Sequence, residues 1–156
     1  LDLSRNNVKI IKNISFFGLN NLKKLDLKFN LIESIEKEGF YELFNLNELN
    51  LANNRIKLIA KRSFFGLNNL KILNLRSNPI ESIEEEGFYG LFSLNELDLS
   101  SYFLKTIKRK SFFGLDSLKK LNLFSNSIRE IKKEGFVDLF SLNELDLDNN
   151  LLESLN

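Results

Sequence analysis

The chain has 156 residues, enough for one domain with a sizeable core, and its 22 basic and 21 acidic residues leave a net charge of +1. Such neutrality carries no basic footprint for nucleic acid, so no nucleic-acid partner is expected. Cysteine and histidine are both absent, which excludes a disulfide framework and thiolate metal sites and removes the commonest general base and metal ligand.

Methionine is absent too, so the initiator is expected outside this chain, which reads as a piece of something longer. No apolar run approaches the roughly 18 residues a membrane helix needs. A membrane anchor, where the parent protein has one, is therefore expected elsewhere.

Along the chain one phrase recurs. It begins part-way through a copy at "LDLSRNNVKI". Copies then open at Leu22, Leu46, Leu70, Leu94, Leu118 and Leu142, each 24 residues after the last, on the pattern LxxLxLxxNxIxxIxxxxFxxLxx, and the chain stops inside the last of them. The second copy reads "LKKLDLKFNLIESIEKEGFYELFN" and the fourth "LKILNLRSNPIESIEEEGFYGLFS". Within a copy, "KKLDLKF" alternates polar and apolar, the period of a strand with one buried face. Leu25 and Leu27 are predicted to point inward, and Lys24, Asp26 and Lys28 outward. An asparagine-centred turn follows at Asn30. Ile32, Ile35, Phe40 and Leu43 then return to the core at spacings too irregular for a long helix. One copy cannot bury its own leucines, whereas stacked neighbours can.

These residues resemble the leucine-rich repeat family, in its typical 24-residue class, from end to end. The resemblance implies an α/β repeat: a right-handed, curved solenoid with one parallel sheet on the concave side and short helical or extended turns on the convex side. The expected organisation is a single array over residues 1–156, about six and a half repeats lacking both end caps. Uncapped ends exposing Leu1, Leu3, Leu147 and Leu152 predict self-association. The class is common in animal secreted proteins and receptor ectodomains, such as Toll-like receptors and Slit. The implied function is a non-catalytic protein-interaction module, an interior segment of an extracellular or cell-surface ectodomain docking a protein ligand on its concave face. The alternative is an intracellular leucine-rich repeat scaffold or regulator. No cofactor is expected.

A second period of two repeats overlies the first. Odd copies carry "SFFGL" (Ser15, Ser63, Ser111), and even copies carry "EGF" followed by a second phenylalanine (Phe44, Phe92, Phe140). Duplication of a pair explains this. The column Phe16, Phe40, Phe64, Phe88, Phe112 and Phe136 is predicted to form a stacked spine. The row Phe17, Tyr41, Phe65, Tyr89, Phe113 and Val137 is predicted to be half exposed. The outer turns alternate acidic and basic, which predicts cross-repeat ion pairs. Asn13-Ile14-Ser15 fits the glycosylation triplet, making Asn13 a candidate acceptor.

Outward strand positions decide what the sheet can bind. Lys24 beside Glu48, and Lys120 between Glu96 and Glu144, are expected to pair across strands. The central column of Asp2, Asp26, Asn50, Asn74, Asp98, Asn122 and Asp146 forms a flat ladder that does not converge on a cation, so no metal site is expected. Asn6, Asn30, Asn54, Asn78, Asn126 and Asn150 form a column whose amides are predicted to bond the backbone of each tight turn and its neighbour. Tyr102 interrupts that column. It is expected to swing outward and leave a gap in the ladder, relieved where water or Ser101 steps in. Two readings follow: drift in a redundant array, or a binding edge, since Phe103 follows it and Phe124 lies roughly 8 Å away on the next strand. With Lys24, Glu48, Glu96 and Lys120, the ligand-binding candidates are Phe29, Arg76, Tyr102, Phe103 and Phe124.

Overall fold

The computed structural model describes residues 1–154. In chain order its strands are β1 (Ile10–Ile11), β2 (Lys24–Asp26), β3 (Ser34–Ile35), β4 (Glu48–Asn50), β5 (Leu58–Ile59), β6 (Ile72–Asn74), β7 (Ser82–Ile83), β8 (Glu96–Asp98), β9 (Thr106–Ile107), β10 (Lys120–Asn122), β11 (Glu130–Ile131) and β12 (Glu144–Asp146). The even-numbered strands form one parallel sheet in sequence order, and an isolated bridge from Asp2 to Asp26 extends it toward the first repeat. Register never slips: Leu25 faces Leu49, Leu49 faces Leu73, and Leu97 faces Leu121. The chain returns to each next strand through the outer turns, so it winds as a right-handed parallel solenoid. Those turns adopt the extended alternative, with short strands and no helix among the described residues.

The core is the repeat pattern made solid. In the third and fourth repeats Leu46, Leu49, Leu51, Ile56, Ile59, Phe64, Leu67 and Leu70 are all buried. The predicted spine forms: consecutive rings from Phe16 to Phe136 lie nearly parallel, with centroids 5.8, 6.0, 5.8, 6.2 and 6.0 Å apart. Strands in a sheet sit only about 4.8 Å apart. A coil whose sheet side advances less per turn than its ring side must bend, which places the sheet on the inside of the arc.

The alternation of odd and even repeats has a structural consequence beyond gene duplication. On the outer side β1 pairs with β3, β5 with β7 and β9 with β11, and among the described residues no outer strand pairs across the intervening boundaries. Glycine sets the closeness within each pair. A Cβ on Gly39, Gly87 or Gly135 would lie 2.9 Å from Cγ2 of Ile11, Ile59 or Ile107 of the preceding repeat. At the equivalent place the odd repeats carry serine, which turns back on its own repeat. The Lys12 and Lys108 amides donate to Ser15 and Ser111 Oγ at 3.0 Å, and the Ser63 hydroxyl donates to the Ala60 carbonyl at 2.9 Å. The longer outer perimeter is therefore covered by hydrogen-bonded pairs separated by breaks.

Candidate functional site

Two of the three expected charge pairs form on the sheet face, and Lys120 turns to Glu144 instead of Glu96. Lys24 Nζ lies 2.8 Å from Glu48 Oε1, and Lys120 Nζ lies 2.9 Å from Glu144 Oε2. Lys120 is held protonated above the ordinary lysine range by the hydrogen bond and then the charge of Glu144, with Glu96 adding to the effect. The outer turns pair as predicted: Arg62 Nε with Glu86 Oε2 at 3.0 Å, Arg109 Nε with Glu134 Oε2 at 2.6 Å, and Lys110 Nζ with Glu85 Oε1 at 3.5 Å. All are solvent-facing, so each contributes little to stability and weakens with salt.

The central column does a job that column-reading missed. Oδ1 of Asp2, Asp26, Asn50, Asn74, Asp98, Asn122 and Asp146 each accepts the amide two residues on, at 2.8–3.1 Å. These are Asx turns that end each strand. Aspartate and asparagine interchange there because only the shared oxygen is used. No group of side chains suited to a metal ion occurs among the described residues.

The asparagine ladder has the predicted form. Asn54 Nδ2 donates to the carbonyls of Leu51 (2.9 Å) and Leu27 (3.0 Å), and its Oδ1 accepts the Ile32 amide at 3.0 Å. Asn30, Asn78, Asn126 and Asn150 repeat the arrangement, and Asn6 at the first turn bonds Leu3 and Ser4. The residue before each is left-handed: Arg5, Phe29, Asn53, Ser77, Ser125 and Asn149 have φ of 53–57°.

At Tyr102 this arrangement is rewired. The ring swings out to 71 % exposure. Ser101 does not enter the left-handed region; it turns inward, is buried, and donates its hydroxyl to the Asn78 carbonyl. The Ile80 amide, which a ladder asparagine would have accepted, donates to the Asn78 carbonyl at 2.8 Å. The Leu75 and Leu99 carbonyls keep one asparagine each, from Asn78 and Asn126. The expected gap is thus largely closed, with Ser101 supplying the repair. Two backbone bonds of the turn are lost as well. Amides equivalent to Ser101 bond the next repeat, as Ser125 does to Asp148 (3.0 Å), and those equivalent to Phe103 bond the preceding one, as Ser127 does to Leu104 (3.0 Å), except at Pro79, which has no amide hydrogen. Neither of those two bonds forms here among the described residues.

The candidate residues separate into three places. Arg76, Tyr102 and Phe124 line one small niche on the rim of the sheet, together with Ser77, Ser100, Ser101 and Ser125. Phe124 is 39 % exposed. Phe103 is exposed but outside that niche, and Phe29 lies several repeats away under the Arg5 guanidinium, 4.9 Å from its ring centre. Glu96 and Lys120 line a groove of about 680 Å³ on the concave face, floored by β6, β8, β10 and β12, to which Ile72 contributes an exposed apolar side chain. Lys24 and Glu48 sit outside it. Asn13 is exposed on the outer side, where its amide donates to Glu36 Oε2.

Three stretches of the chain, residues 1–56, 44–101 and 92–152, match the family model described as Leucine rich repeat. The chain belongs to the leucine-rich repeat family. Over 51 residues, 33 % of this leucine-rich repeat chain, it is 45 % identical to Toll-like receptor 3 of Boselaphus tragocamelus, and equally to that of Bos taurus. The match spans 6 % of either receptor. The solenoid also superposes on the crystal structure of a TLR13–ssRNA13 complex with a TM-score of 0.70 and 26 % identity, over 96 % of this chain and 24 % of that one. The leucine-rich repeat array is thus similar to part of a Toll-like receptor and spans only a small part of the length of such relatives.

Proposed function

We propose that this array is a non-catalytic docking segment of an extracellular or cell-surface leucine-rich repeat receptor, and that it holds a protein ligand on its concave face and the adjoining rim. The observation that carries this reading is the convergence of Arg76, Tyr102 and Phe124 on one niche beside the groove. Aromatic and arginine side chains displayed together are the residues that dominate binding energy at protein interfaces. The likeness to Toll-like receptors supports the setting. No histidine or cysteine is present to serve as base or nucleophile. Among the described residues no helix is long and apolar enough to cross a membrane.

A nucleic-acid ligand is the second reading, because the solved TLR13 chain is in complex with ssRNA. The protein reading is favoured by the lysines Lys24 and Lys120, which are neutralised by glutamates instead of standing free as a basic stripe. An intracellular scaffold would use the same face.

The test is a photo-cross-linking amino acid placed at position 124, and at position 17 on the outer side as control, in the parent protein displayed on cells. Adducts at 124 that protease removes and ribonuclease does not are expected. Ribonuclease-sensitive adducts would select the second reading, and equal labelling at 17 and 124 would overturn the docking face.

A further inference from the structure

The boundaries between repeats are not equally strong, and one lacks both an outer strand pair and an asparagine rung. Boundaries between the first and second, third and fourth, and fifth and sixth repeats have an outer strand pair and a glycine-mediated close approach. The boundary between the second and third lacks an outer pair but keeps the full Asn54 rung, with the Arg55 amide bonded to the Ile32 carbonyl at 2.8 Å. Between the fourth and fifth repeats β7 and β9 do not pair, Tyr102 replaces the asparagine, and the Phe103 amide makes no bond to the Ile80 carbonyl. The spine is at its widest there too, with Phe88 and Phe112 6.2 Å apart. What remains is the β6–β8 ladder, the leucine layers, the Ser101 repair, the Ser77 amide on the Ser100 carbonyl at 2.9 Å, the Ser117 hydroxyl on the Phe92 carbonyl at 2.7 Å, the exposed Lys110–Glu85 ion pair, and the stacked pair of Tyr89 and Phe113 at 6.3 Å.

We infer that the array flexes and opens locally at this one boundary, so that residues 1–93 and 94–154 behave as two stiff blocks joined along β6 and β8. Solenoid stability is close to a sum of repeat terms and nearest-neighbour interface terms, so a single weak interface sets where the coil yields first. Local opening occurs where the fewest bonds and contacts must be broken. The rim niche straddles this boundary, with Arg76 and Ser77 on one block and Tyr102 and Phe124 on the other. Flexure therefore changes the spacing of the niche walls and the curvature of the concave groove together. A ligand gripping both walls closes the boundary, and one touching a single wall leaves it free. The flexure itself does not depend on what the ligand is.

Residue-resolved amide exchange on the whole chain tests this. The reporters are matched sheet amides that bond across successive boundaries: Ile72 to Asn47 and Leu51 to Asn74; then Glu96 to Lys71 and Leu75 to Asp98; then Lys120 to Asn95 and Leu99 to Asn122. Glu96 and Leu75 are expected to exchange about tenfold faster than the other four, the scale set by losing one ladder bond's worth of stability. Tyr102→Asn should slow them to match, and Ser101→Ala should speed them further. Equal rates at all six, or rates that rise steadily toward one end of the chain as simple fraying would give, would overturn the inference. So would a pattern that Tyr102→Asn leaves unchanged.

Discussion

The boundary between the third and fourth repeats and the one that follows it share the same leucines and the same phenylalanine spine, yet they are fastened differently. In the first, Gly87 lets the outer turn settle on Ile59, β5 pairs with β7, and Asn78 ties Leu51, Leu75 and Ile56 together. In the second there is no outer pair, and a serine and a carbonyl stand in for the asparagine. The difference teaches that the apolar layers specify the coil, while the polar ladder and outer pairs adjust how stiffly each turn is held. A redundant core lets one rung be exchanged for an exposed aromatic without loss of the fold.

The largest perturbation should erase the comparison. Phe88 stacks on Phe64 and Phe112 and so serves both boundaries. Phe88→Ala is expected to cost about 3–5 kcal/mol in urea unfolding, and a loss below about 1 kcal/mol would show that the spine is not a buried column. Gly87→Ala attacks only the tighter boundary. The new methyl would meet Ile59 Cγ2 at 2.9 Å and the Glu84 carbonyl at 3.0 Å, and overpacking of this kind typically costs about 1–3 kcal/mol. Thermal unfolding indistinguishable from the parent chain would mean that the outer pairing is not set by glycine.

Asn78→Tyr should make the strong boundary resemble the weak one. Asn78 is fully buried, and its removal leaves backbone groups to find new partners. The expected cost is about 1–3 kcal/mol, toward the lower end because Ser77 precedes it as Ser101 precedes Tyr102. A smaller effect should appear in acid. Burial raises the Glu86 carboxyl, but the Arg62 hydrogen bond and the Lys61 charge outweigh it and hold the group below its ordinary range. A carboxylate depressed in the folded state stabilises it at neutral pH, and that contribution is lost as pH falls through the depressed value. The Glu86→Gln chain should therefore lose less stability than the parent chain between neutral and acidic pH. An identical loss would remove Glu86 from the account.

Much of this was legible from residue order. The 24-residue spacing fixes which leucines face inward, because a strand alternates and a stack repeats it. Lys24 with Glu48, Lys120 with Glu144 and the outward Tyr102 followed from column position alone. What stayed hidden depends on ångströms. The Gly–Ser alternation looked like a record of duplication until Gly39, Gly87 and Gly135 were found against the isoleucines of the preceding repeat. The central Asp/Asn column looked like a solvated face, since nothing in a column shows that Oδ1 folds back on the amide two residues ahead. Phe29 and Phe103 are exposed aromatics like Tyr102, but of the ligand-binding candidates only Arg76, Tyr102 and Phe124 share a niche. The signal for Ser101 was present: a small hydroxyl residue immediately before the one exception in the ladder.

The central claim is that Tyr102 occupies a rung that asparagine would hold more firmly. Urea unfolding of Tyr102→Asn beside the parent chain addresses it most directly. The account predicts a gain of about 1 kcal/mol, as the Ile80 amide regains an asparagine partner and the Leu75 and Leu99 carbonyls each gain a second one. Unchanged or lower stability would contradict it.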